Sequence, residues 1–180
     1  MRILLTLLLL TTAAQAQDIC PAVPDHTAER AQIMAVLAHA RDEAEAQFMA
    51  DRLWQIWTDA PDAKAQGLLD EGMQRRLDYD FAGSRAVLDD LIAYCPDYAE
   101  GWNQRAFAAF LAQDYPAALA DLDVALGIMP DHVAALSGKA LTLIGMGRND
   151  EAQDVLRAAL DLNPWLGERA LLVEPPGQDI

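Results

Sequence analysis

Apolar residues recur at i, i+3, i+4 and i+7 in three stretches of the chain, Ala86 to Ile92, Ala118 to Leu126 and Ala152 to Leu160. That spacing puts them on one face of an amphipathic helix. A second helix precedes each stretch, carrying Leu68 with Gly72, Trp102 with Ala106, and Leu136 with Ala140. A proline closes each pattern, and Pro96, Pro130 and Pro164 stand 34 residues apart. A fixed period of this length marks a repeat array in which neighbouring units share a core. Every repeat is a helix pair, and the expected fold class is all-α: an alpha-solenoid of antiparallel helix pairs.

Local chemistry agrees with this register. Gly72 with Ser84, Ala106 with Ala118, and Ala140 with Ala152 supply small residues where the two helices of a repeat approach, and bulk there would splay the pair. Asp80, Asp114 and Asn149 are placed to cap the second helices, and Pro116 falls in a first turn, where its missing N–H does no harm. Upstream, residues 27–60 read as a further helical hairpin, with Asp42 and Glu45 as N-cap and partner and Phe48, Leu53, Trp54, Ile56 and Trp57 apolar. Pro61 ends it, one residue out of the 34-residue register, so the hairpin is either a decayed repeat or a cap over the first true one.

The period and these positions resemble the tetratricopeptide repeat, over residues 65–98, 99–132 and 133–166. The central repeat matches best, with Trp102 in the large-residue place, Ala106 and Ala118 in the small ones, Tyr115 opening the second helix, then Ala125 and Pro130. The resemblance implies a concave surface, lined by the first helices, that takes a segment of another protein. Carried over by register, its partner-binding residues are Leu69, Met73, Arg76 and Leu77, then Asn103, Phe107, Phe110 and Leu111, then Ser137, Leu141 and Ile144. Phe107, Phe110 and Ile144 either line that surface or pack between helices. One subclass clamps a terminal carboxylate with Lys, Asn and Arg, but the corresponding places hold Leu69, Met73, Gln104, Ala134 and Gly138, so that clamp is absent. Where the family carries an inward Leu, this chain has Glu71, Arg105 and Lys139. They are expected to form a ladder in which Arg105 bridges Glu71 and another acid, as a specificity device or a half-buried structural pair.

The chain begins Met1-Arg2, continues with the apolar run Ile3 to Leu10, and reaches Ala14-Gln15-Ala16, the order of a secretory leader cleaved after Ala16. The run meets Thr11 and Thr12 too soon to span a bilayer. The expected organisation is a leader over 1–16, an arm over 17–26, the hairpin, the three repeats, and over 167–180 a short capping helix from Leu166 to Val173 with a disordered tail. Export permits Cys20 and Cys95 to pair as a disulfide that fastens the arm.

Thirteen Lys and Arg against 28 Asp and Glu leave a formal charge of -15. Such a body repels phosphate backbones and anionic headgroups, which argues against nucleic-acid and membrane-surface roles. Two cysteines and three scattered histidines make no metal-ligand spacing, so no metal or cofactor is expected. Ser84 and Ser137 lack a sequence-evident His-Asp pair, His26, His39 and His132 fall near helix ends where solvent is the expected surrounding, and Asp121 with Asp123 reads as a solvated helix face. No catalytic constellation emerges. With Trp102 to Ala106 and Ala135 to Gly138, the whole is similar to small secreted tetratricopeptide proteins of alphaproteobacteria. The expected function is that of an exported, monomeric adaptor, periplasmic in a Gram-negative producer, holding an apolar partner segment with basic flanks. A structural, oligomerising subunit of an envelope assembly and a regulator of an envelope enzyme are the rival readings.

Overall fold

A computed structural model describes residues 19–173; the expected leader over 1–16 and the tail from Glu174 to Ile180 lie outside the described residues. Eight α-helices follow in order: α1 (Thr27–Leu37), α2 (Glu43–Trp57), α3 (Ala63–Leu77), α4 (Phe81–Tyr94), α5 (Ala99–Leu111), α6 (Tyr115–Ile128), α7 (Val133–Gly145) and α8 (Asn149–Leu162). The closing segment after Leu166 is shorter than an α-helix over Leu166 to Val173: a 3-10 turn spans Gly167–Leu171. Gln153 on α8 holds it down, donating to the Leu171 carbonyl at 3.0 Å and accepting from the Val173 N–H at 2.7 Å. Helices α3 with α4, α5 with α6, and α7 with α8 pack as antiparallel pairs, and α4 on α5 and α6 on α7 join the pairs into an all-α solenoid.

The turn inside each pair repeats to the atom. Tyr79, Gln113 and Gly147 all take a left-handed backbone, with φ of 62°, 61° and 75°. The following N–H then reaches back across the turn, Asp80 to the Arg75 carbonyl, Asp114 to Ala109 and Arg148 to Leu143, each at 2.9 Å. This is the helix-ending motif that glycine serves best, yet two of the three sites carry a side chain. The same register decides the caps. Asp80 and Asp114 accept from the N–H groups of Gly83 and Ala117, but in the third pair the equivalent place holds Arg148, so Asn149 is the first residue inside α8 and caps nothing.

The small residues do meet between paired helices. Gly72, Ala106 and Ala140 are buried, as are Ser84, Ala118 and Ala152. A Cβ on Gly72 would stand 2.6 Å from Leu88, and the Ser84 hydroxyl donates to the Gly72 carbonyl at 2.7 Å.

The hairpin of α1 and α2 takes a different course from the repeats. Its buried residues Ile33, Leu37, Ala46, Leu53 and Trp57 gather with Val133 at the start of α7 and with Met129, Leu162, Trp165 and Leu166, not with the core of the first pair. Arg30 on α1 donates through Nε to Asp131 at 3.0 Å, which ties the hairpin to the third pair. Of the expected apolar face, Leu53 and Trp57 are buried, whereas Trp54 is 41% and Phe48 60% exposed. Asp42 caps α2 from the Glu45 N–H, and the Glu45 carboxylate accepts from the N–H of Arg41, one residue ahead of the cap. The arm before α1 is joined to the end of α4 by the Cys20–Cys95 disulfide, with Cα atoms 5.2 Å apart. Among the described residues no helix is long and apolar enough to cross a membrane.

Candidate functional site

A cleft of about 300 Å³ opens between α5 and α7. The first helices of the second and third pairs supply its walls because their registers turn Phe107, Phe110 and Leu141 to the same side. Asn103, Gln104 and Ser137 line its inner part. Trp54 from α2, Leu166 at the end of the third repeat and Glu168 from the closing segment complete the lining. Glu168 is the one ionisable residue in this lining among the described residues.

The residues expected to bind a partner divide into those that reach this cleft and those that do not. Asn103, Phe107, Phe110, Ser137 and Leu141 line it together. Leu69 does not: it is fully buried among Leu88, Leu91 and Tyr98 in the core of the first pair, with Met73 packed at that core's edge. The reason is that α3 turns this edge towards the arm and the link to α2 rather than towards open groove. Leu77 and Leu111 are exposed at 61% and 38%, at the C-terminal ends of α3 and α5, and Ile144 is half-buried at the end of α7. Arg76 lies beside the cleft with its guanidinium 4.3 Å from the centre of the Phe107 ring. Burial pushes its pKa down, an effect opposed by Glu100, and its Nε has no hydrogen-bond partner. Phe110 leans on Tyr115, with ring centroids 5.7 Å apart.

Beneath the cleft lies a buried polar cluster that the sequence pattern did not lead us to expect. Glu100, in the first turn of α5, is 1% exposed. Its carboxylate accepts from Gln104 Nε2 at 2.6 Å and Asn103 Nδ2 at 3.1 Å, and stands 2.8 Å from His132 Nε2. His132 is not solvated at a helix end but fully buried, capping α7 while stacked on Trp57. With their nitrogens committed to one carboxylate, the amides of Asn103 and Gln104 are left with their oxygens as the remaining polar atoms. The Gln104 oxygen is buried and has no partner. A signal for this cluster does exist in the sequence, since His132 follows Pro130-Asp131 as Tyr98 follows Pro96-Asp97, 34 residues earlier. Both close on the end of α2: the Tyr98 hydroxyl donates to the Trp57 carbonyl at 2.7 Å, and His132 meets the Trp57 ring.

The charged ladder forms with different partners from those expected. Glu71 accepts from Arg75 on its own helix at 2.8 Å. Arg105 instead bridges the two neighbouring second helices, binding Asp121 on α6 through two nitrogens at 2.8 and 2.6 Å and Asp89 on α4 through a third. The Asp121 bonds push the Arg105 pKa up against burial, with Asp89 adding to them. Asp121 is therefore a buried ion-pair partner and not a solvated acid, because the long Arg105 side chain reaches it across the contact between α5 and α6. Lys139 repeats half of the pattern, donating to Asp123 at 2.6 Å. Arg105 also lies over the Trp102 ring, at 4.9 Å. Among the described residues no group of three His, Cys, Asp or Glu could hold a metal ion.

Comparison with known proteins places this geometry. A family model described as tetratricopeptide repeat matches residues 109–164. A TPR repeat-containing protein of Rhizobium etli is 30% identical over 136 residues, covering 74% of this chain and 65% of its own length. The uncharacterized protein y4yS of Sinorhizobium fredii is 40% identical over 84 residues, 46% of this chain and 45% of its own. The chain thus spans less than two thirds of the length of either relative. Among solved structures, the TPR2B domain of yeast Sti1 in complex with pHsp70 superposes with a TM-score of 0.57 at 25% identity, over 61% of this chain and 91% of that one. The matched family model, the relatives and the stack of helix pairs agree: residues 109–164 match the tetratricopeptide repeat, the preceding pair of α3 and α4 continues its architecture, and the chain is homologous to alphaproteobacterial tetratricopeptide-repeat proteins.

Proposed function

We propose that the protein is a non-enzymatic adaptor that holds a segment of another protein in the cleft between α5 and α7. The observation that carries this reading is the cleft's lining: Phe107, Phe110 and Leu141 face solvent-accessible space in the helices that line the concave side of such a solenoid. The Sti1 domain with the same fold was solved with a bound protein ligand, pHsp70. The hairpin limits the site here. Because Trp54 of α2 stands at one side of it and Leu166 and Glu168 at another, the cleft is matched to a short segment.

The partner segment is apolar with basic flanks, since an apolar cleft with an acidic rim on a body of charge -15 attracts cationic chains. The adaptor acts as a monomer in an oxidising compartment outside the cytoplasm, the periplasm of a Gram-negative cell, where the Cys20–Cys95 bond persists. Crosslinking in intact cells followed by identification of the bound protein tests the reading. Capture should fall well over tenfold when Phe107 and Phe110 are both replaced by Ala, if each contributes about 1–2 kcal/mol. Unchanged capture by a folded double variant moves the site away from the cleft, and concentration-dependent mass in light scattering favours an assembly subunit instead.

A further inference from the structure

Arg76 differs from the other arginines in having nothing to bind. Every other arginine among the described residues donates a hydrogen bond to a carboxylate or a carbonyl. Among the described residues no oxygen accepts from Arg76. The side chain is nonetheless held in place: it is half-buried, its guanidinium lies 4.3 Å from the centre of the Phe107 ring, and its buried Nε has no partner. Glu100 acts on it as a charge, but the Glu100 oxygens are committed to Gln104, Asn103 and His132. A guanidinium that has lost part of its hydration and met no acceptor carries a cost that a bound acceptor would relieve. Phe107 joins this charge to the apolar cleft, because the same ring lines the cleft with Phe110, Leu141 and Trp54. The two ends of the site therefore differ in sign. Arg76 stands on the α3 side of α5, and Glu168 enters the lining from the segment that follows α8.

We propose that the partner segment seats one large apolar side chain in the cleft and sets the carboxylate of a neighbouring Asp or Glu on the terminal nitrogens of Arg76. Two carboxylate oxygens match the paired N–H groups of a guanidinium whose face is already held by a ring. A lysine or arginine at this place would meet like charge, and an amide would leave the charge unpaired. A phosphate would bring a second negative charge to a body of charge -15. The cleft's mostly apolar lining suits the anchor, and its volume of about 300 Å³ holds one such side chain. The basic flanks lie further out along the segment, over the acidic surface. The acid then fixes the direction in which the segment runs, with its carboxylate towards α3 and a basic flank towards Glu168.

This rests on the cleft being the partner site, and the test separates the two. The probes are acetylated heptapeptide amides of alanine with a central phenylalanine and one glutamate, placed at each other position in turn, and their glutamine and lysine counterparts. Chemical-shift titration of the whole protein reads their affinities. On one side of the phenylalanine, glutamate should bind about fivefold more tightly than glutamine at the same position, with lysine weaker still, and the shifts should include Arg76, Phe107 and Leu141. The preference should vanish in Arg76→Gln and survive in part in Arg76→Lys. Because each preference compares two ligands on one protein, a small structural effect of the substitution cancels. No glutamate preference at any position, a preference that persists in Arg76→Gln, or shifts confined to other faces would overturn the proposal. So would tighter binding of a peptide whose only carboxylate is its free C-terminus, which would assign Arg76 to chain ends. Should the preference fail while cellular capture still depends on Phe107 and Phe110, the adaptor reading stands and only the acid falls. An Arg76-dependent preference with cellular capture indifferent to those residues would keep the peptide site and remove the adaptor reading.

Discussion

The Trp57 ring lies flat on the His132 imidazole, with centroids 4.3 Å apart and planes 19° from parallel. One residue ends the hairpin and the other caps the first helix of the third pair, so the contact folds the N-terminal part of the chain onto a repeat far along the sequence. It also covers the Glu100 carboxylate that orients Asn103 and Gln104.

Replacing Trp57 by Ala should therefore cost about 3 kcal/mol, the usual range for deleting a buried large aromatic. Denaturant unfolding measures the loss. Hydrogen exchange should show α1 and α2 opening before α5 to α8; uniform opening would mean that the hairpin is not a separable unit.

Asp121→Asn should destabilise the protein by about 2 kcal/mol, because it weakens the charged bonds that Arg105 makes across α5 and α6. Asp90→Ala, at an exposed position on α4, should change stability by less than about 0.5 kcal/mol. Similar thermal midpoints for the two variants would show that the bridge contributes nothing.

Gln113→Gly should stabilise by about 0.5–1 kcal/mol. The native φ of 61° is strained for a side chain and open to glycine, as Gly147 shows at the same place in the next repeat. A lower melting temperature in the glycine variant would contradict the turn geometry.

Burial raises the Tyr98 pKa, helped by the nearby Glu100 charge. The phenol stays protonated in the native state while the unfolded chain releases its proton above about pH 10. Protons are then lost on unfolding, so stability present below that pH falls as pH rises further. Tyr98→Phe should flatten this alkaline limb and remove about 1 kcal/mol at neutral pH through the lost bond to Trp57. Parallel alkaline limbs in the two proteins would sink the assignment.

Reducing the Cys20–Cys95 bond should lower stability by about 4 kcal/mol, from the loop of 75 residues it closes in the unfolded chain. Cys95→Ser should match the reduced protein in its melting temperature. An unchanged midpoint would mean that the arm is held by its other contacts alone.

What the sequence determined by itself is what repeats. The three helix pairs, the small residues between them and the Asp80 and Asp114 caps all follow from local periodicity, because each depends on residues within one pair. The left-handed turns were within reach too, yet Tyr79 and Gln113 concealed what Gly147 alone suggests. Tertiary structure decided whatever joins distant segments. Leu69 and Phe107 both belong to first helices, but the arm and the link to α2 cover one and leave the other open. Which acids Arg105 meets depends on how α4 and α6 flank α5, and no spacing along one helix specifies that. The placement of α1 and α2 against the start of α7 and the segment that follows α8 is the clearest case. An amphipathic hairpin records that it has an apolar face to bury, and only the assembled solenoid determines which surface, at Val133, His132 and Leu166, is there to receive it.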